Sequence, residues 1–171
     1  MKMIYESRTL ALALDIIPRG VAFAVLEGME RLYDAGVTYI ALPSKHAYVE
    51  KVEALLLRYL PEVLVLEDTK GAGFKKGPRT EHVITRLELL ALSKTLPVVK
   101  VSRKDVLSVF GTKNKYETAD AVARFFPELE GRLPGHRRSW ENETDRINIY
   151  EAVSFALTAY QKPLNLEDID A

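Results

Sequence analysis

Cysteine is absent from this 171-residue chain, which excludes a disulfide framework and any thiolate metal site. No stretch reaches the roughly 18 consecutive apolar residues that a membrane span requires. The N-terminal MKMIYESR has no apolar run behind its basic residues, so neither a signal peptide nor a membrane segment is expected, and a cytoplasmic location follows. Net charge is missing as well, because 24 Lys and Arg balance 24 Asp and Glu. No internal repeat or low-complexity tract is visible. The remaining features, 47% apolar and 28% charged residues, are those of one globular domain spanning 1–171, large enough for a hydrophobic core.

The balanced charge is unevenly spread. Residues 1–69 carry 7 Lys/Arg against 10 Asp/Glu, residues 70–115 carry 11 against 3, and residues 116–171 carry 6 against 11. A basic middle third between acidic flanks suits a polyanionic partner, and equally a solvated Lys/Arg face.

The stretch Thr9–Gly28 organises the chain. Two apolar runs, Leu10–Ile17 and Val21–Leu26, flank Pro18–Arg19–Gly20, a pattern that predicts an antiparallel hairpin. One carboxylate, Asp15, sits inside the first run, where burial without a partner is costly. Either it braces the turn or it holds a cation at the centre of a sheet.

Beyond the hairpin, Glu30–Gly36 reads as a short helix or turn, and Val37–Leu42 as a third strand. Ser44 is a plausible N-cap for an amphipathic helix over Ala47–Tyr59, which Pro61 stops. The short apolar run Val63–Leu66 predicts a buried strand with Glu67 and Asp68 at its carboxyl end, the place where ligands collect in open α/β sheets. Thr69–Thr80, with three glycines and four basic residues, reads as a mobile loop, either phosphate-gripping or merely flexible. Its glycines do not match a Walker or dinucleotide pattern. Helices are expected at Glu81–Thr95, Arg103–Phe110 and Tyr116–Phe126, with a strand at Val98–Val101 and the basic linker GTKNK before the last of them. Pro127–Trp140 reads as a loop, in which His136, Arg137 and Arg138 are either phosphate contacts or ordinary surface. The final helix should run from near Thr144 to about Tyr160. On it Asp145, Asn148 and Glu151 recur at intervals of three and share a face. The tail PLNLEDIDA either packs back or frays.

The element order is therefore β-β-β-α-β-α-β-α-α-α, a mixed sheet that begins antiparallel and continues through helical crossovers. Acids fall inside the first strand, at the end of the fourth and on the last helix. Phosphodiester cleavage with Mg2+ needs such a set, because hard cations take oxygen ligands converging from different elements. Two ions standing roughly 3.5–4 Å apart activate water and stabilise the leaving oxygen. Spacing alone does not establish convergence, and Glu67 and Glu151 also read as surface acids at element ends.

The order and position of these acids resemble the ribonuclease H-like superfamily, and within it the RuvC-type Holliday junction resolvases, from Leu10 to about Tyr160. In that family the first strand carries an Asp followed by Pro-Gly; here the run is Asp15–Ile16–Ile17–Pro18–Arg19–Gly20. The fourth strand ends in a Glu, as VLVLE does at Glu67. VVKVSRKDVLSVFGTKNKYETADAVARFF is similar to the strand, Lys-rich connection and helix that follow. In the final helix the family has an acid or histidine three residues before an acid; here Asn148 and Glu151 take those places, with Asp145 or Glu143 one turn earlier as compensation.

The resemblance implies a ribonuclease H-like α/β fold with a five-stranded mixed sheet, three strands antiparallel and the rest parallel. It implies a homodimeric, Mg2+-dependent endonuclease of branched DNA, with Mn2+ as the alternative ion. Asp15, Glu67 and Glu151 become the metal ligands, with Asp145 or Asn148 as the fourth. Lys75, Lys76, Arg79, Lys113 and Lys115 become phosphate contacts. Phe74 becomes a residue that stacks on or wedges between bases, or else a hydrophobic dimer contact. Two other classes share the scaffold: a ribonuclease H-like protein without catalysis that binds nucleic acid or serves as a structural subunit, and a nuclease for RNA or simple duplex DNA.

Overall fold

The computed structural model describes residues 8–132 and 145–161, the side chains of 130–132 excepted. Glu143, His136, Arg137, Arg138, residues 1–7 and the PLNLEDIDA tail lie outside the described residues. Five strands form one sheet in the order β3-β2-β1-β4-β5, with β1 at Leu10–Ile17, β2 at Gly20–Glu27, β3 at Arg31–Tyr39, β4 at Val63–Glu67 and β5 at Val98–Val101. β1, β2 and β3 are antiparallel neighbours, whereas β4 and β5 join β1 in parallel. This is the mixed α/β sheet that the sequence implied.

Ile17 pairs with Gly20, so the hairpin turn is the two residues Pro18 and Arg19. Gly20 is demanded by packing, since a Cβ there would stand 2.5 Å from the Thr38 carbonyl oxygen of β3. The expected short helix or turn at Glu30–Gly36 is instead the first part of β3. Asp34 and Gly36 are poor strand formers, but β3 is a half-exposed edge where they are tolerated. The Tyr59 hydroxyl bonds to Asp34, and the Phe23 ring stands 3.3 Å from where a Cβ at residue 36 would be.

Among the described residues, five helices and a 3-10 turn accompany the sheet: α1 at Lys45–Tyr59, α2 at Pro78–Ser93, α3 at Arg103–Phe110, α4 at Lys115–Phe125, the turn at Pro127–Arg132, and α5 at Arg146–Tyr160. The Ser44 hydroxyl accepts from the Ala47 amide and starts α1, and Leu60 in the left-handed region ends it. Pro78 in the first turn starts α2 three residues earlier than apolar periodicity alone suggests. The segment after Pro127, read from sequence as loop, begins as a 3-10 helix. Among the described residues no helix is long and apolar enough to cross a membrane.

Alternation along β1 builds two cores. Leu12, Leu14 and Ile16 face α1 and α2, while Ala11 and Ala13 face α5 with Ala24, Val63 and Val65. The small alanines let α5 settle close to the sheet, and almost every residue of α5 is buried. The Tyr160 hydroxyl fastens its end, receiving the Gly28 amide at 3.1 Å and reaching the Thr9 carbonyl at 2.6 Å. The first turn of α5 is thereby placed at the opposite end of the sheet, the carboxyl end of β1 and β4.

Candidate active site and nucleic-acid interface

Period-two alternation puts Asp15 in line with Ala11 and Ala13, hence on the α5 face. Glu67 follows Val63 and Val65 on the same face of β4. The parallel register pairs Ala13 with Val65, so two residues further on Asp15 and Glu67 stand side by side. Glu151 comes down on them from α5. All three carboxylates are withdrawn from solvent, at 0%, 2% and 5% exposure respectively. Three acids remote in sequence meet at one point.

Two cations fill the space between them. The Lys76 ammonium is hydrogen-bonded to Asp15 Oδ1 and stands 3.3 Å from Glu67 Oε1. The Arg103 guanidinium donates to both oxygens of Glu151, at 2.6 and 3.2 Å, and its Nε lies 3.4 Å from Glu67 Oε2. Lys76 was expected as a phosphate contact; in the structure it is an internal partner of the acids. Arg103 and its neighbour Lys104 were not singled out from the sequence. The signal was there, because Arg103 follows the N-cap Ser102 directly beyond β5, and Val101 pairs with Glu67.

The electrostatics follow from burial. Burial opposes the Lys76 charge, but Asp15 and Glu67 outweigh it and hold its pKa above the usual lysine value. Burial opposes the Arg103 charge too, and Glu151 and Glu67 overcome it in the same way. Burial, with the Asp15 charge beside it and against the pull of Arg103, pushes the Glu151 carboxyl up to about 7. The cluster thus sets three acids against two cations, and the raised Glu151 pKa lets that carboxyl take up a proton near neutral pH.

The donor set suits a hard cation in its chemistry. Asp15 Oδ2 and both oxygens of Glu67 are buried without a hydrogen-bond partner, although Lys76 and Arg103 stand within ion-pair range of Glu67. The arrangement is another matter. Among the described residues no group of three His, Asp or Glu side chains is disposed to hold a metal ion, because ammonium and guanidinium occupy the space between the acids.

Beside the cluster lies a cavity of about 990 Å³, lined by Lys75, Lys76, Arg103, Lys104, Lys113 and Lys115, with Asp145 and Glu151 as its acids among the described residues. Six cations against two acids among these residues make it a positive recess, and Glu151 is the member of the acid cluster that reaches its wall. Asp145 and Asn148, from the start of α5, lie on its wall. The Asp145 carboxylate is near the Tyr39 phenol, whose pKa is raised by burial and then by that charge. Two expected nucleic-acid contacts stand apart from this recess. The Phe74 ring is half-buried and packs on the core beneath α1 and α2, and Arg79 donates to the Pro43 carbonyl.

The glycine loop after Glu67, read from sequence as mobile, is fastened to α3. Lys104 donates its amide to the Ala72 carbonyl at 3.3 Å. Gly71 is pressed so close that a Cβ there would come within 2.6 Å of Ser102 Cβ. Gly73 has φ of +91°, a backbone state that favours glycine.

No protein-family model matches the chain, and no curated protein matches it in sequence. Solved structures do. The chain is similar to Thermus thermophilus RuvC in complex with Holliday junction substrate, at 18% identity over 89% of this chain and 93% of that one, with a TM-score of 0.62. It is similar to the yeast mitochondrial Holliday junction resolvase, at 12% identity over 98% of this chain and 82% of that one, with a TM-score of 0.60. It is also similar to the Fowlpox virus resolvase solved with Holliday junction DNA, at 16% identity over 88% and 94%, with a TM-score of 0.52. The fold is thus the ribonuclease H-like architecture of the Holliday junction resolvases.

Proposed function

We propose that this chain is a single ribonuclease H-like domain acting as a metal-dependent endonuclease on branched DNA. The observation that carries the reading is the meeting of Asp15, Glu67 and Glu151, from β1, β4 and α5, beneath a cavity lined by lysines. Lys75, Lys104, Lys113 and Lys115 grip backbone phosphates, which gives affinity without sequence preference. The three carboxylates would hold Mg2+ or Mn2+, with Asp145 and Asn148 near enough on the cavity wall to add oxygens. A bound ion supplies acidified water and neutralises charge on the phosphodiester. The protein's own part is to place a phosphate over the acids and to hold those acids in a dry, preorganised pocket. A junction presents two symmetric strands, and a homodimer would nick both. Leu57 and Leu60 at the end of α1, with Leu89 and Leu92 on α2, are exposed and offer it an apolar face.

The test is cleavage of a labelled four-way junction beside duplex, fork and RNA–DNA hybrid, with Mg2+, with Mn2+ and with chelator. Paired symmetric nicks on the junction are expected, lost with chelator and in Asp15→Asn, while that variant still binds DNA. Cutting of hybrid or duplex alone would transfer the activity to another substrate. A second reading, a nucleic-acid-binding protein without catalysis, is favoured by one observation: Lys76 and Arg103 already neutralise the acids. Junction binding with no cutting under any metal would establish it.

A further inference from the structure

The two cations in the acid cluster are held differently. Arg103 sits in the first turn of α3, which is fixed by a full capping box between Ser102 and Asp105. Its guanidinium bonds both oxygens of Glu151 and lies over the Phe155 ring, 6.0 Å from the centroid. A planar, bidentate and stacked group of this kind is set in one place. Lys76 is on a loop, at the end of a flexible four-carbon stem, and its ammonium is a point charge with no comparable fork. Its side chain is 20% exposed, and it lines the same basic cavity as Lys75, Lys104, Lys113 and Lys115. The Lys76 ammonium therefore touches the buried carboxylates while its side chain lines a positively charged cavity of about 990 Å³, with ample room for a backbone phosphate.

Resting on the nuclease reading above, we propose that Lys76 is a displaceable internal cation. In the free protein its ammonium occupies the acid cluster in place of a divalent ion, and a backbone phosphate of bound nucleic acid draws it into the cavity, so that the metal site forms only on the complex. Asp15 Oδ1 and Glu67 Oε1, the two oxygens that Lys76 faces, are the ones its departure exposes. The anchored Arg103 stays and keeps Glu67 and Glu151 in position. Coupling of this kind is reciprocal: nucleic acid strengthens metal binding, and metal strengthens nucleic-acid binding by the same factor. A nuclease so arranged has no assembled metal site until a phosphate is in place.

The experiment measures Mn2+ bound by the full chain, from loss of the free-ion electron paramagnetic resonance signal, with and without a four-way junction and against junction alone. Wild type should leave Mn2+ free in the absence of DNA and gain affinity by about 100-fold or more on the junction, the scale set by displacing a buried ion pair. Lys76→Met should bind Mn2+ without DNA. Lys70→Met, which removes an exposed charge from the same loop, should behave as wild type. If Lys76→Met loses its fold by circular dichroism, Lys76→Gln, which keeps a hydrogen-bond donor toward Asp15, takes its place. Equal Mn2+ affinity of wild type with and without junction would overturn the gate and leave the nuclease reading standing. So would junction-dependent binding in wild type with no gain of DNA-free binding in the Lys76 variants. Failure of every protein to bind Mn2+, even with junction bound, would overturn both.

Discussion

Replacing Arg103 by methionine removes the fixed cation and keeps most of the side-chain volume. Two carboxylates lose a partner at once: Glu151, held by two hydrogen bonds, and Glu67, with Nε at 3.4 Å. Both are almost fully buried, so water does not screen the loss. Breaking a buried pair by removing one member costs about 3–5 kcal/mol. For a chain of this length that corresponds to a fall in Tm of about 6–20 °C. Chelator-treated protein unfolded in urea should show a lower midpoint with unchanged slope. The effect carries a pH signature. Glu151 has a folded pKa of about 7, above its ordinary value, so the stability it contributes is full at acid pH and is lost as pH rises through 7. Arg103 pulls that pKa down. Without it the folded pKa climbs further, and the loss extends to higher pH. The gap between wild type and Arg103→Met should therefore be smaller at pH 5, where Glu151 is neutral in both and only the contact with Glu67 is lost, and widest above pH 7. A gap independent of pH, or one below about 1 kcal/mol, would refute the claim that Arg103 compensates a buried Glu151 charge.

Further outcomes follow from the same geometry. Lys113→Ala with Lys115→Ala should weaken junction binding and reduce the salt slope by about 2, one unit per lost phosphate contact; a filter-binding titration at several salt concentrations with unchanged slope would take both lysines off the interface. Gly71→Ala drives a Cβ against Ser102 and should cost about 1–3 kcal/mol in urea unfolding, and wild-type stability would show that the loop is not pressed against α3. Asn148→Asp adds an acid to the cavity wall; in chelator it should lower Tm, and on the junction complex it should enlarge the rise in Tm that Mn2+ brings, whereas no change in either would place Asn148 outside the reach of a bound ion.

Much of this architecture was legible in the chain. The hairpin, the buried strand Val63–Glu67, the capped helices and the mostly apolar final helix each follow from a local pattern, and period two alone puts Asp15 and Glu67 on one face once their strands are neighbours. The third strand reads from sequence as Val37–Leu42, and its first part as helix or turn, because Asp34 and Gly36 are poor strand formers that are accommodated by Tyr59 and Phe23 from elsewhere in the fold. The loop after Glu67 was misread for a similar reason. Its glycines suggest freedom, yet Gly71 is there because Ser102, 31 positions away, leaves no room for a side chain. Phe74 and Arg79 looked like nucleic-acid contacts because they share a basic loop with Lys75 and Lys76. They part company with those lysines in space, the ring on the core and the guanidinium on Pro43. No spacing rule could announce that Lys76 and Arg103 would enter the acid cluster.

The departures from the resolvase pattern on the last helix acquire a physical reading from those two cations. Three buried acids against two cations leave one excess negative charge, and a raised Glu151 pKa offsets part of it with a proton. A fourth carboxylate at residue 148, three positions from Glu151 and facing the same cavity, would add a second excess charge beside an enclosed cluster. Asn148 supplies an oxygen without that charge. The extra methylene of Glu151, relative to aspartate, extends its carboxylate from the α5 backbone to the guanidinium on α3. Asn148, Glu151, Lys76 and Arg103 thus form one electrostatic set, in which the protein folds around its acids without waiting for an ion. A pattern with more acids and no internal cations must instead hold the folded state together with bound metal, or leave its carboxylates open to water. On that ground, the proposed metal-dependent cleavage is compatible with folding that needs no metal, and the two separate in the assay: chelator should abolish cleavage while leaving the wild-type unfolding midpoint in place.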